Sequence, residues 1–260
     1  MSDPHVVALH YRLETGPQLV FADREPLECE TEGFTVRLAD GQLRLELKDH
    51  FPTAEAAQAE VETFLRSWKI ATALHDGTAG ISFVFERAEI IDRAPPALGG
   101  GAGSWAARGG ATAGGVAPTQ FSPARYPDPP AKFTASPDVV VMWDHYQRYK
   151  EGREPLAVMA QCCLKNIEWS AGGKRARRAA AGQYAIDVEV LRHLARLTSV
   201  VGDAQTGRKL FQGDGFRPHS PAEVAWMEAV VRLLIQRAGE WAADRQTKWA
   251  QITMEDLPNL

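Results

Sequence analysis

A segment rich in glycine and proline divides this chain into two parts. Glycine takes 8 of the 17 positions from Gly99 to Gly115, and prolines recur from Pro95 to Pro137. Such a sequence cannot bury enough apolar surface to offset the entropy lost when it is ordered. We therefore predict a domain at residues 1–93, a flexible linker at 94–136 and a second domain at 137–260. Three large apolar residues of the linker would dock on a domain or contact a partner: Trp105, Phe121 and Tyr126.

The two parts differ in charge. Residues 1–95 hold 9 Lys and Arg against 17 Asp and Glu, a net charge of -8. Residues 96–260 hold 20 against 16, a net charge of +4. The split favours different partners for the two halves, or attraction between them, and the alternative is two ordinary solvated surfaces.

The sequence indicates a cytoplasmic protein without membrane contact. No apolar run approaches the ~20 residues that cross a bilayer. The N-terminus, residues 1–5, lacks the basic start and apolar stretch of a signal peptide. The three cysteines suit no disulfide, because Cys162 and Cys163 are adjacent and Cys29 stands alone, and this favours a reducing compartment.

The first part contains a strong hairpin signal. Apolar and polar residues alternate over 34–39 and again over 42–47, on either side of Asp40-Gly41. This dipeptide suits a two-residue type I′ turn, because both central positions need positive φ. The resulting register places six apolar side chains on one face by pairing Leu38 with Leu43, Val36 with Leu45 and Phe34 with Leu47.

Further strands and one long helix complete the N-terminal prediction. Residues 7–13 alternate as a half-buried strand, residues 19–21 form a short second strand, and the run 81–91 forms a long one. Apolar residues recur at helical spacing from the capping Thr53 to about His75. We therefore predict an α+β domain, an antiparallel sheet with one long helix across a face.

The second part is predicted to be all-helical. Helices are expected at 138–150, with Val141, His145 and Tyr149 on a common side, and at about 155–171. The last helix, 221–243, begins with a capping box at Ser220-Pro221-Ala222-Glu223. Its apolar stripe would also suit a homodimer seam, but its length of about 25 residues favours an intramolecular core.

One segment, residues 174–197, indicates a function. Small alanines, a turn at Ala185 and the apolar Ile186 and Leu191 resemble a helix-turn-helix, in which two helices pack closely around a bend. From Lys165 to Arg217 there are 10 Lys and Arg against 5 Asp and Glu. Such a patch would meet phosphates. The candidate nucleic-acid-binding residues are Lys174, Arg175, Arg177, Arg178, Arg192, Arg196, Arg208 and Lys209.

Three observations oppose nucleic-acid binding. Ala185 stands where a left-handed backbone would favour glycine. The second helix opens with Asp187 and Glu189, which repel phosphates where base-reading residues should lie. The whole chain has a net charge of -4. A purely structural helical corner is the alternative.

No motif predicts a catalytic, metal or cofactor site. Cys162 and Cys163 would project about 100° apart from a helix, as two small buried residues do, and no metal-ligand spacing occurs. His145 has aromatic neighbours but no nucleophile or carboxylate tied to it by spacing. The glycines near Gly101 match a dinucleotide fingerprint only loosely, because no strand leads directly into them.

We therefore interpret the chain as a non-catalytic binding or adaptor protein with a protein partner. A tether between two domains lets both engage one assembly with a raised effective concentration. Nucleic-acid binding through residues 174–197 is the first alternative, and an enzyme with an unrecognised site is the second. We expect no cofactor.

Overall fold

Two units make up the protein, Met1–Pro130 and Ala131–Leu260. The computed structural model describes residues 3–16, 21, 24–76, 80–93, 125–173, 176–200 and 217–260. Within those ranges, no helix has the length and apolar character that crossing a membrane requires. The linker prediction for residues 94–124, with Trp105 and Phe121, falls outside the described residues.

The N-terminal unit is an α+β unit, as predicted. Its five strands form one antiparallel sheet in the order β2-β3-β4-β1-β5. Its elements are β1 (Pro4–Thr15), β2 (Leu27–Glu30), β3 (Phe34–Ala39), β4 (Gln42–Leu47), α1 (Ala54–Asp76) and β5 (Ile81–Asp92).

The β3–β4 hairpin confirms the predicted turn and register. Asp40 and Gly41 have φ angles of 52° and 72°, so both central residues are left-handed, as a type I′ turn requires. The predicted pairs Leu38 with Leu43, Val36 with Leu45 and Phe34 with Leu47 are all formed. These six side chains are buried.

Two features of the sheet differ from the sequence prediction. The strand that pairs with β3 is β2, which was not predicted, whereas the predicted strand at 19–21 lies largely outside the described residues. The side chains of β1 do not simply alternate between the two faces of the sheet, because the register of β1 with β5 shifts at Val7 and at Glu86. The β-bulge at Val7 brings both Val6 and Leu9 into the core, although simple alternation would place them on opposite faces.

Helix α1 covers one face of the sheet through Trp68, which is fully buried. The indole ring lies between Phe64 and Phe83, at centroid distances of 5.7 and 5.0 Å. Its Nε1–H donates to the carbonyl of Pro127 at 3.1 Å. Tyr126 is also buried in this core, so residues 125–130, which the sequence analysis included in the linker, pack on the N-terminal unit.

The opposite face of the sheet is charged. His10 and Arg44 both contact the carboxylate of Glu89, at 2.9 and 3.3 Å. Arg12 lies between Glu14 and Glu86. One face is therefore a core and the other is solvated, as is common for antiparallel sheets.

The second unit is helical. Its helices are α2 (Pro137–Lys150), α3 (Leu156–Ser170), α4 (Arg177–Gln183), α5 (Val188–Val200) and α6 (Pro221–Ala243), followed by a short 3₁₀ helix (Met254–Asp256). Helix α3 contacts each of the other four α-helices and therefore forms the centre of the unit. The predicted common side of α2 at Val141 is not its buried side, which holds Val139, Met142, Trp143 and Tyr146.

Helix α6 begins with the predicted capping box. The hydroxyl of Ser220 accepts from the N–H of Glu223, whose carboxylate accepts from the N–H of Ser220. Hydrogen bonds from Arg217 and from the N–H of Ser220 to its carboxylate lower the pKa of Glu223 to about 2. The apolar stripe of α6 is buried in the unit itself, and this helix has none of the exposed large hydrophobic residues within the described ranges.

The chain enters the helical unit over the α6 backbone. Phe133 is buried, and the N–H of Thr134 donates to the carbonyl of Gly239 at 3.0 Å. A Cβ atom on Gly239 would lie 2.1 Å from Cε2 of the Phe133 ring. Residues 131–136, also included in the predicted linker, thus pack on the helical unit.

Candidate functional site

The segment that resembles a helix-turn-helix does form two short helices around a bend. Helix α4 ends at Gln183 and α5 begins at Val188. Between them Ala185 has a φ of 50°, the left-handed conformation that favours glycine. Ile186 and Leu191, which were predicted to fill the angle, are both buried. The other buried residues of this segment include Ala180, Tyr184, Val190 and Leu194.

A segment that is distant in sequence, after α6, forms hydrogen bonds with this bend. Ile252 forms a parallel bridge with Ile186. Its carbonyl accepts from the N–H of Asp187 at 2.7 Å, and its N–H donates to the carbonyl of Ala185 at 2.8 Å. The strained backbone at Ala185 is therefore supported by hydrogen bonds from the chain after α6.

The predicted nucleic-acid-binding residues divide into two groups. Four of them lie outside the described residues: Lys174, Arg175, Arg208 and Lys209. Of the other four, Arg177 turns inward, because its Nε–H donates to the carboxylate of Glu168 at 2.7 Å. Glu168 is a buried acid, so this pair belongs to the packing of α4 on α3.

The remaining arginines lie on the surface of the bend. Arg192 forms an ion pair with Glu189 one turn earlier on α5. Arg196 lies 3.1 Å from Nε2 of His193, and both burial and this arginine lower the pKa of His193, so the histidine is neutral at pH 7. Arg178 and Arg196 are exposed and have no carboxylate partner among the residues with assigned positions. Only part of the predicted positive charge is thus available to phosphates.

A shallow hollow of about 490 Å³ lies beside the bend. It contains Arg178 and Asp187, so its charge is mixed. Its other lining residues are Ala181, Gly182, Ala185, Ile186, Val188 and Gln251.

The N-terminal unit presents a different surface, the outer edge of β5. This strand is 12 residues long and pairs on one side only, with β1, within the described parts of the chain. Half of the eight exposed large hydrophobic residues that the structure describes lie on it: Val84, Phe85, Ile90 and Ile91. Ile90 and Ile91 are 53% and 50% exposed.

A groove of about 560 Å³ runs between α1 and this strand. Its floor is aromatic, and there the rings of Tyr11 and Phe85 meet edge to face at 5.5 Å. Burial and the nearby Glu62 raise the pKa of Tyr11 to about 12, so the phenol is neutral. The groove adds apolar surface to the edge of β5.

A third cluster joins α2 to α3. Nδ1 of His145 lies 2.7 and 2.9 Å from the two carboxylate oxygens of Glu154. One ligand atom from each of His145, Glu154 and Cys162 lies within 4.8 Å of the other two. His145 and Cys162 showed no link in the sequence, and Glu154 was not predicted as a site residue. Glu154 is close to them in space because of the loop that precedes it.

That loop is a Schellman turn. Gly152 has a φ of 70°, its N–H donates to the carbonyl of Tyr149, and the N–H of Arg153 donates to the carbonyl of Arg148. The turn reverses the chain, so Glu154 returns beside His145, one and a half turns back along α2. By contrast, Glu168 pairs with Arg177 and does not join this cluster.

Comparisons with known proteins identify no relative. No protein-family description matches this chain, and neither a curated protein nor a solved structure resembles it significantly.

Proposed function

We propose that this chain is a non-catalytic binding protein, an adaptor that assembles through the outer edge of β5. The strand that binds there is β5 of a second copy. The observation that carries the proposal is the long edge itself, with Ile90 and Ile91 half exposed. Unpaired backbone N–H and C=O groups along an edge strand form a template for another strand.

Charges at the middle of β5 select the partner strand. Arg87 and Glu89 lie on the same face of the sheet, since Nη1 of Arg87 is 3.4 Å from Oε1 of Glu89. Antiparallel pairing of two copies around Ala88 would place Arg87 of each copy opposite Glu89 of the other. Opposite charges directly across a strand pair stabilise it, and like charges destabilise it. The strand is therefore complementary to itself.

The exposed apolar residues flank these charges. Phe85 precedes Arg87, and Ile90 and Ile91 follow Glu89, so pairing would cover apolar surface on both sides of the ion pairs. Burial of apolar area supplies most of the free energy of association, while the ion pairs set the register. Two copies joined in this way would present two helical units, which raises the effective concentration for a target with two sites.

A charge reversal tests the proposed pairing. We expect the full chain to sediment as a dimer in the micromolar range. Arg87→Glu places like charges opposite each other twice in the symmetric pair and should weaken the dimer by about tenfold or more. Arg87→Ala removes the charge without reversing it and should weaken the dimer less than Arg87→Glu does. Sedimentation equilibrium measures the dissociation constant of the dimer for each variant, and far-UV circular dichroism checks that each variant is folded.

The matched control is Arg37→Glu, an exposed arginine on β3, which lies away from the edge. This variant should dimerise like the original chain. A monomeric original chain, or a dimer that is unaffected by Arg87→Glu, would rule out the proposed interface.

A second candidate function, nucleic-acid binding, is favoured by the left-handed Ala185 between two helices. This is the bend that the helix-turn-helix resemblance requires. The exposed Arg178 and Arg196 would contact phosphates, and Glu189 would oppose them.

Salt-dependent binding tests this candidate. For the full chain and a fluorescent duplex DNA, Arg178→Ala and Arg196→Ala should each weaken binding and each reduce the salt slope by about 1. Glu189→Gln should strengthen binding, because it removes a charge that repels phosphate. Arg66→Ala, on α1 of the other unit, should change neither quantity. The absence of binding at low salt would exclude the candidate.

A further inference from the structure

We propose that His145, Glu154 and Cys162 form a binding site for a single zinc ion. The three side chains come from α2, the loop after it and α3, and one ligand atom of each lies within 4.8 Å of the others. This inference is independent of the dimer proposed above, which involves the other unit.

The donor set indicates the metal. An imidazole nitrogen, a carboxylate oxygen and a thiolate sulfur together suit zinc, whereas calcium and magnesium prefer oxygen ligands alone. Zinc bonds of about 2.0–2.3 Å separate neighbouring ligands in a tetrahedron by about 3.5 Å. Small side-chain rotations therefore bring the three atoms into ligating positions. His145 would exchange its hydrogen bond with Glu154 for a bond to the ion.

The site lies on a rigid and partly buried frame. The side chain of Glu154 is 9% exposed and that of His145 is 24% exposed. The neighbouring Cys163 is fully buried, and its thiol donates to the carbonyl of Met142 at 3.8 Å, which ties α3 to α2 at this level.

Three protein ligands define the kind of site. Structural zinc sites are closed by four protein ligands, whereas sites with three leave a position for water or another molecule. Binding displaces the proton of the Cys162 thiol to solvent, so the thiolate, the carboxylate and Zn²⁺ leave no net charge at the centre. The partial exposure of His145 gives solvent a route to the fourth position.

Cobalt substitution tests the site. Under reducing, anaerobic conditions, Co²⁺ added to the full chain should give the strong visible bands of tetrahedral cobalt and a near-ultraviolet band from charge transfer between sulfur and cobalt. Zn²⁺ should displace both signals. Cys162→Ser should abolish the near-ultraviolet band, and His145→Gln and Glu154→Gln should each weaken Zn²⁺ binding by about tenfold or more.

Cys29→Ser is the matched control, because it removes a thiol in the other unit and should leave every signal unchanged. The conservative replacements at partly exposed positions preserve volume, and circular dichroism verifies that each variant is folded. A sulfur band that survives in Cys162→Ser, or the lack of any cobalt signal in the original chain, would overturn the proposal. In that case the His145–Glu154 contact is a hydrogen bond that joins α2 to the following loop.

Discussion

Gly239→Ala should destabilise the helical unit by about 3 kcal/mol or more, although it adds a single methyl group. Overpacking a close-packed interior typically costs about 1–3 kcal/mol, and here neither neighbour can move easily. The new Cβ would lie 2.1 Å from Cε2 and 2.3 Å from Cδ2 of Phe133. Phe133 is buried, and Gly239 lies within the long helix α6, so one of the two must shift. Urea denaturation of the full chain measures the loss.

Two variants make this prediction specific. Gly182→Ala, in α4, places a Cβ where no atom lies within 4 Å, so it should leave stability unchanged or raise it by up to about 1 kcal/mol. In a Phe133→Ala background the space for the methyl group exists, and the added cost of Gly239→Ala should fall below about 1 kcal/mol. An equal cost in both backgrounds would show that the Phe133 ring is not the obstacle.

Trp68→Ala should destabilise the N-terminal unit by about 3–5 kcal/mol, the usual cost of deleting a buried large aromatic side chain. The ring is fully buried between Phe64 and Phe83, so its deletion leaves a cavity in the core of the unit. The change also leaves the carbonyl of Pro127 without the indole donor, which weakens the packing of residues 125–130 on the unit.

Comparison with two other variants separates these effects. Trp68→Phe keeps most of the apolar volume but loses the hydrogen bond, so its cost should be about 1–2 kcal/mol. Trp169→Ala removes a ring that is 64% exposed and should change stability by no more than about 0.5 kcal/mol. Thermal unfolding by calorimetry measures all three. A loss for Trp68→Ala as small as that for Trp169→Ala would contradict the packing of α1 on the sheet.

Local signals were sufficient for much of the fold. The Asp40-Gly41 turn, the alternation around it and the capping box at Ser220 act within a few residues, so the sequence displays them directly. Both the turn and the capping box occur where they were predicted. The class of each unit follows from these local elements and their periodicity.

Most of the fold features that the sequence did not predict depend on contacts between residues that are far apart in the chain. Strand β2 alternates apolar and acidic residues, but it does so over four positions only and its apolar side chains are only half buried, so the alternation is a weak signal. The bulges at Val7 and Glu86 depend on how β1 meets β5 and leave no sequence trace. Strand β5 lies at an edge because it pairs with β1, which is far away in sequence, and follows β1 at the end of the strand order. No spacing rule reveals such a neighbour.

In the candidate sites, too, the sequence predicted local features and did not predict contacts between distant residues. The bend at Ala185 was visible from small and apolar residues at short spacing, but the ion pairs that use Arg177 and Arg192 were not. The cluster of His145, Glu154 and Cys162 required the reversal at Gly152 to be recognised. A glycine between two predicted helices was the available signal, since a left-handed residue at a helix C-terminus returns the next side chains toward the helix.

The bridge between Ile186 and Ile252 has a consequence for the order in which the chain folds. The bend between α4 and α5 holds a left-handed alanine, yet the hydrogen bonds that support it come from residues synthesised after α6. Contacts between segments far apart in sequence form only after the entropy of closing the intervening loop has been overcome. During synthesis the bend should therefore remain loosely structured until the residues beyond α6 emerge. Folding of the helical unit is then completed from its C-terminal end.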